Sequence, residues 1–311
     1  MSPVNAAAPT VPAAALATLA ALALAGCATE LGPPSEWVDA DAITGPLTPE
    51  GAPPPRPLPA PPARLRVVTW NVAKGADVDG LAAAIRASPA LAAADVILLQ
   101  EIEAHPGEGG ARAQRLAAAL ELGYAYAPER LEGDGTHGAA ILSRWPLERV
   151  QVRALPYPDL AFSQVPRRAL AADVRVGATA LRVVDLHLDT RLNARDRILQ
   201  LRPAVLDAPA PAVVGGDLNT NPYVWTGGAV PDLPGSTVVD TDQAPVIDGY
   251  VRGLGYATPT ATLGPTEQFA GLVAARLDSL YVRGATAAPG AVERAIALSD
   301  HWPVWIDVTP P

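Results

Sequence analysis

Ala212-Val213-Val214-Gly215-Gly216-Asp217-Leu218-Asn219-Thr220 is the stretch on which the reading of this chain turns. An apolar, β-branched run ends in two glycines and then in polar residues, which reads as a buried strand with a polar tip. Alternate side chains of an extended segment share a face. Asp217 and Asn219 therefore reach one centre while Leu218 packs inward. Sites in α/β proteins are assembled at strand ends and in the adjacent loops.

Working outward, the same arrangement recurs. Residues 65–72 form a β-branched run that carries Asn71 at its end, and residues 95–100 form a buried run followed by Glu101. Residues 181–187 end in His187. Asp278 opens the run to residue 282, and Asp300-His301 precede a last run over residues 302–308. Residues 139–143 read as a short strand, and residues 170–176 as one arm of a hairpin with 181–187 across Val176-Gly177-Ala178. Helical spacing covers residues 81–91, 112–122 and 193–206, the last capped by Asn193. Residues 221–247, rich in Gly, Pro and Asp, read as a long surface loop and a plausible specificity element. Strands and helices alternate with hairpins among them, so the fold class is α/β with mixed sheets.

The strand-end residues share a chemistry. Glu101, Asp217 and Asp300 supply carboxylate oxygens, and Asn71 and Asn219 supply amide oxygens. All-oxygen ligation suits Mg²⁺ or Mn²⁺, which keep waters and meet phosphate oxygens directly. Zinc would want more His or Cys, and the only cysteine, Cys27, lies near the start of the chain. Of four histidines, His187 and His301 fall in these segments. A carboxylate beside an imidazole fixes the tautomer for proton transfer, and Asp278 is the candidate orienter for His301. Taken singly, each residue has a plain explanation: an Asp or Asn at a strand end is usually a turn or cap. The set carries the argument.

Thr69-Trp70-Asn71-Val72-Ala73-Lys74-Gly75, Gln100-Glu101, Ile141-Leu142-Ser143-Arg144-Trp145-Pro146, Leu186-His187-Leu188, Gly216-Asp217-Leu218-Asn219-Thr220, Arg276-Leu277-Asp278 and Ser299-Asp300-His301 occur in that order. The series resembles the endonuclease/exonuclease/phosphatase superfamily over residues 65–308. The resemblance implies a four-layer sandwich, two mixed β-sheets flanked by helices. It implies a divalent metal at Glu101, assisted by Asn71 and Asp300. Asp217 and Asn219 would orient the attacking water and a phosphate oxygen. His301, paired with Asp278, would act as base or hold the phosphate. His187 would contact the phosphate or assist the leaving group. The family often has Gly-Asn before Ala-Ile-Leu-Ser-Arg, where this chain has Gly138-Ala139-Ala140. For the Arg that often follows, Arg168 and Arg167 compete, since alternation lets only one face the site; Arg168 is favoured as the substrate-binding residue.

The first 63 residues read as address and tether. Residues 11–26 are almost wholly apolar and end in Leu24-Ala25-Gly26-Cys27, which resembles a bacterial lipobox. The run is too short and too rich in small residues for an ordinary spanning helix and suits a secretory signal. No Lys or Arg precedes it, a departure from the usual pattern. Lipidation at Cys27 would anchor the chain at the cell envelope, on the outer membrane or cell surface. Residues 28–63, rich in Pro and Ala, read as a semi-rigid spacer, which leaves residues 64–311 as the domain.

Residues 28–63 hold five acids and one base, which leaves -5 of the formal net charge of -9 to residues 64–311. An acidic domain gains no general electrostatic help with nucleic acid. The leading expectation is therefore a metal-dependent phosphodiesterase or phosphatase, acting as a monomer on a phosphoester. An extracytoplasmic DNA endonuclease or exonuclease is the second expectation, and a catalytically silent ligand-binding domain of the same fold the third.

Overall fold

A computed structural model describes residues 31–32, 34–157, 166–190, 192–220, 242–269 and 273–311. The apolar run with Cys27 and most of residues 221–247 lie outside the described residues. Two short strands come first, β1 (Val38–Asp39) and β2 (Glu50–Ala52), before the long strand β3 (Leu65–Lys74). Helices α1 (Val78–Ala87) and α2 (Pro89–Ala92) lead to β4 (Val96–Ala104), and α3 (Arg112–Leu120) leads to the hairpin of β5 (Gly123–Glu132) and β6 (Gly135–Ser143). A meander of β7 (Leu147–Ala154), β8 (Arg168–Val176) and β9 (Thr179–His187) follows, then α4 (Ala194–Asp207), β10 (Ala212–Asp217) and α5 (Gln243–Gly253). The chain closes with β11 (Glu267–Phe269), β12 (Val273–Ala275), β13 (Asp278–Arg283), β14 (Thr286–Ala287), β15 (Ala291–Val292) and β16 (Val304–Thr309).

Two large sheets result. One runs β1-β7-β8-β9-β10-β13, and the other β14-β16-β3-β4-β6-β5-β2 with β15 on β16. Each is mixed: β9 and β10 pair in parallel, as do β3 and β4, while their neighbours are antiparallel. Strand alternation builds the layers. Leu65, Val67 and Leu98 face the opposite sheet and cluster with its Val183, Val213 and Leu280. Val68 and Trp70 face outward beneath Leu81, Ile85 and Leu116 of α1 and α3. On the far side Val184, Leu186 and Val214 pack under Leu201, Val205 and Ile247 of α4 and α5. Strands buried on both faces read as continuous apolar runs, which is why the sequence marks them so plainly. Local signals set the helix starts: Asp77 accepts from the Gly80 N–H and Asn193 from the Asp196 N–H.

Three sequence readings change here. The stretch expected to stand off the domain lies along it instead. β1 pairs with β7 and β2 with β5, one at the edge of each sheet. An edge strand leaves unpaired N–H and C=O groups, and a short extended segment satisfies them. Trp37 adds side-chain contact, with the Arg153 and Arg182 guanidinium groups 5.6 and 5.7 Å from its ring centre. The segment expected to be loop up to residue 247 is helical from Gln243. Strands β5 and β7 were not expected at all. β5 is built from Ala and Tyr around Pro128, and β7 alternates Arg149, Gln151 and Arg153 with single valines, so neither presents a long apolar run.

Candidate active site

The space between the sheets changes character along the strands. Its middle holds Val67, Leu98, Val183 and Val213. Steps of two residues keep the same face and bring in Thr69, Gln100 and Asp185. Gln100 donates through Nε2 to Thr69 Oγ1 at 3.0 Å and to Asp185 Oδ1 at 2.6 Å, joining the two sheets. One further step reaches Asn71, His187 and Asp217. Register aligns Asp217 with His187 on β9 and with Asp278 on β13, so one row holds three of the sequence-predicted residues. Close strand packing needs the preceding glycine: Gly216 has φ +142°, and a Cβ there would lie 2.0 Å from the Leu186 carbonyl oxygen.

Glu101 reaches the site by an irregularity. Alternation alone would send it away from the face of Gln100. A bulge between Leu99 and Ile102 and a φ of 59° at Glu101 re-aim it. Asn71 then donates through Nδ2 to Glu101 Oε1 at 3.1 Å and to Asp217 Oδ2 at 3.0 Å, while its Oδ1 accepts from the Ala73 N–H. Asn71, expected to assist a metal at Glu101, thus also ties two carboxylates together. Asn219 is also part of the frame. Its N–H donates to Asp217 Oδ1 at 2.9 Å, and its Nδ2 donates to the Leu188 carbonyl at 2.9 Å and to Asp217 Oδ2 at 3.3 Å.

His301 lies with Nδ1 2.9 Å from Asp278 Oδ2 and Nε2 3.8 Å from Asp217 Oδ2. Trp70 donates its indole N–H to the His301 carbonyl, and Ser299 ties the same segment to the Asn71 carbonyl. His187 lies on the other side, with Nε2 3.5 Å from Asp217 Oδ2 and 3.7 Å from Glu101 Oε1. Its Nδ1 is 2.7 Å from Arg167 Nη1. Arg167 thus meets a site residue through its side chain, and the Arg168 backbone N–H donates to Glu129 Oε1 at 3.4 Å. Arg167 precedes the strand, so strand alternation did not govern where it points. Asp300 is exposed at the rim, its carboxylate accepting from Ser299 Oγ, which also reaches the Asn71 carbonyl.

Charge is distributed unevenly over these groups. Burial works against ionisation of Glu101, but the neighbouring His137 ring and the Asn71 amide outweigh it and hold the carboxyl well below the usual range. Burial pushes Asp217 up to about 6, against the pull of His301. Burial opposes charge on His301, yet Asp278 and Asp217 overcome it and raise its pKa to about 10. Burial, and then the Arg167 charge, hold His187 well below the ordinary imidazole range.

Sequence reasoning passed over three contributors. Thr266 donates through Oγ1 to Asp278 Oδ2 at 2.6 Å and accepts from the Leu277 and Asp278 N–H groups, fixing the carboxylate behind His301. Glu267 pairs by backbone with His301, and burial raises its carboxyl to about 7. His137 is buried, with Nε2 3.9 Å from Glu101 Oε2. Thr266 and Glu267 come together with Asp278 and His301 only through chain reversals. His137 sits within a hairpin strand, where no motif singled it out.

As a metal site, the donors divide in two. Among the described residues, Asp217, Asp278 and His301 each offer a ligand atom within 4.8 Å of the others. In that group His301 and Thr266 already occupy Asp278 Oδ2. Glu101 is different. Its side chain keeps 31% exposure, it is held ionised, and its oxygens suit a hard cation.

Comparison with known proteins agrees with this architecture. The model of the Endonuclease/Exonuclease/phosphatase family matches residues 68–301. No curated protein matches the chain. An endonuclease/exonuclease/phosphatase from Beutenbergia cavernae is 22% identical, covering 80% of this chain and 72% of its own, with a TM-score of 0.61. A family protein from Leptotrichia buccalis is 14% identical over 78% of this chain and 98% of its own, at 0.56. D. rerio TDP2, solved with a single strand DNA product, is 19% identical over 79% and 99%, at 0.54. The two mixed sheets with flanking helices and the ordered strand-end residues have one source: this chain belongs to the endonuclease/exonuclease/phosphatase family.

Proposed function

We propose that this chain is a divalent-metal-dependent phosphoester hydrolase. One observation carries the reading: a single buried carboxylate, Asp217, lies between two histidines and shares Asn71 with the half-exposed Glu101. A cation, Mg²⁺ or Mn²⁺, held at Glu101 with Asp300 at the rim would draw charge from a phosphate oxygen as it builds. Asn71 keeps Glu101 and Asp217 at fixed spacing. Asp217, itself held by Asn219, orients water for in-line attack. With His301 held cationic, Asp217 Oδ2 is the acceptor for that water's proton, and His301 Nε2, 3.8 Å away, is a charged donor facing the same centre. Preset donors and charges of this kind need no rearrangement during the reaction.

The test is phosphate or alcohol release by the purified chain with Mg²⁺ or Mn²⁺. The panel holds DNA, a generic phosphodiester, phosphomonoesters and phospholipids, with His301→Ala as control. Metal-dependent turnover lost in the variant supports the reading. Preference for DNA would favour a nuclease, against the acidic charge of the domain. Metal binding without turnover on any arm would favour the silent binding domain.

The anchor is a second part of the same proposal. We infer that Cys27 is lipidated and holds the enzyme at the cell envelope, where a lipid or sugar phosphoester is within reach. Cys27→Ser should move the protein from the membrane to the soluble fraction in a bacterial host. Unchanged membrane recovery would sink the anchor and leave the hydrolase untouched.

A further inference from the structure

His187 has an outer partner that decides its chemistry. A guanidinium carries only N–H donors and stays charged in proteins. Arg167 Nη1 lies 2.7 Å from His187 Nδ1, and both residues are buried. A donor at that distance needs a lone pair facing it. His187 Nδ1 therefore carries no proton, and the ring's one proton sits on Nε2. A ring protonated on both nitrogens would set N–H against N–H. Nε2 is the atom turned toward the site, near Asp217 Oδ2 and Glu101 Oε1. Arg167 is itself held in place, its Nη1 3.7 Å from the buried Glu129 Oε2.

We propose that Arg167 is a positioning residue that locks His187 as the neutral Nε2–H tautomer, making His187 a hydrogen-bond donor to a phosphoryl oxygen rather than a proton carrier. Accepting a proton would require the nitrogen that Arg167 occupies. Giving one up would leave an imidazolate beside two carboxylates. Either transfer is unfavourable, whereas donation from Nε2–H needs no change of protonation. The role in turnover rests on the phosphoester reading above; the tautomer does not.

The tautomer is read directly by long-range proton–nitrogen NMR of the full chain labelled at histidine. With four histidines the spectrum is sparse, and His187→Gln assigns the signal by its loss. At pH 7.5 the wild-type ring should show Nε2–H. Arg167→Lys, which also only donates, should keep it. Arg167→Gln, whose amide oxygen accepts, should move the ring toward Nδ1–H and lower turnover, and Arg167→Lys should restore much of the loss. In the activity arm His187→Gln, with an amide donor near the Nε2 position, should stay within roughly tenfold of wild type. His187→Ala should lose roughly 10²–10³-fold, as for one deleted oxyanion donor. Wild-type Nδ1–H, or a doubly protonated ring, would overturn the tautomer lock. Equal losses in His187→Gln and His187→Ala would overturn the donor role. If wild type turns over no substrate, the catalytic role falls with the phosphoester reading while the NMR result stands by itself.

Discussion

His187 and His301 sit on either side of Asp217, each at a strand end and each with Nε2 toward the same carboxylate oxygen. Their outer nitrogens differ. His301 meets the Asp278 carboxylate, and His187 meets the Arg167 guanidinium. A carboxylate accepts a proton's hydrogen bond and favours a cationic ring; a guanidinium donates one and enforces a neutral ring. The same side chain is thus given opposite properties within one site. The lesson is that a histidine's role lies in the group behind it, which a motif does not name.

The contrast sets the order of expected effects. Asp217 serves both halves, so Asp217→Asn should lower kcat most, by roughly 10³-fold or more, within the range of acid–base groups. A loss below tenfold would remove it from the chemistry. Next, His301→Gln should cost roughly 10²–10³-fold, well beyond the loss for His187→Gln. Glutamine can imitate an N–H donor but carries no positive charge. Similar losses for the two variants would erase the contrast.

A smaller effect tests the support behind His301. Thr266→Val removes the hydroxyl that binds Asp278 Oδ2 and two backbone N–H groups. Buried groups left unpaired cost about 1–3 kcal/mol of stability. Chemical denaturation should report that loss, with kcat falling by roughly tenfold as Asp278 loosens. Unchanged stability would mean the groups find other partners.

The smallest effect lies beneath His187. Burial raises the Asp185 carboxyl well above its ordinary value, and its Oδ2 has no hydrogen-bond partner among the described residues. A raised folded-state pKa contributes stability that is full below the unfolded value, about 3.9, and lost as pH rises through the folded value. Asn does not ionise. Asp185→Asn should therefore melt higher relative to wild type at pH 8 than at pH 4, read by thermal scans at both. A gap independent of pH would show that Asp185 is not driven toward its neutral form.

Much of this was legible in the chain. The runs ending at Asn71, Gln100, His187 and Asp217 are apolar because both strand faces are buried, and their polar tips then stand out. The hairpin into His187 and the Asn193 cap are local, so local residues announce them. Strands β5 and β7 were not legible, since Ala, Tyr and alternating polar residues spread their signal thinly. The course of the stretch before residue 64 was not legible either. Proline explains why it is extended, but edge pairing depends on which sheet lies beside it.

The order of residues thus determined the fold class, the strand ends and the identity of Glu101, Asp217, Asp278 and His301 as a set. These follow from short-range physics: periodicity, capping and the cost of burying a polar side chain without purpose. Tertiary structure decided the rest. It turned Glu101 inward through a bulge, gave Asn71 to two carboxylates, set Thr266 behind Asp278, and put Arg167 rather than Arg168 against His187. Each of these is a contact between residues distant in the chain or an exception to alternation. Neither has a local pattern to read, because hydrogen-bond direction and charge are settled only when separate strands are brought into register.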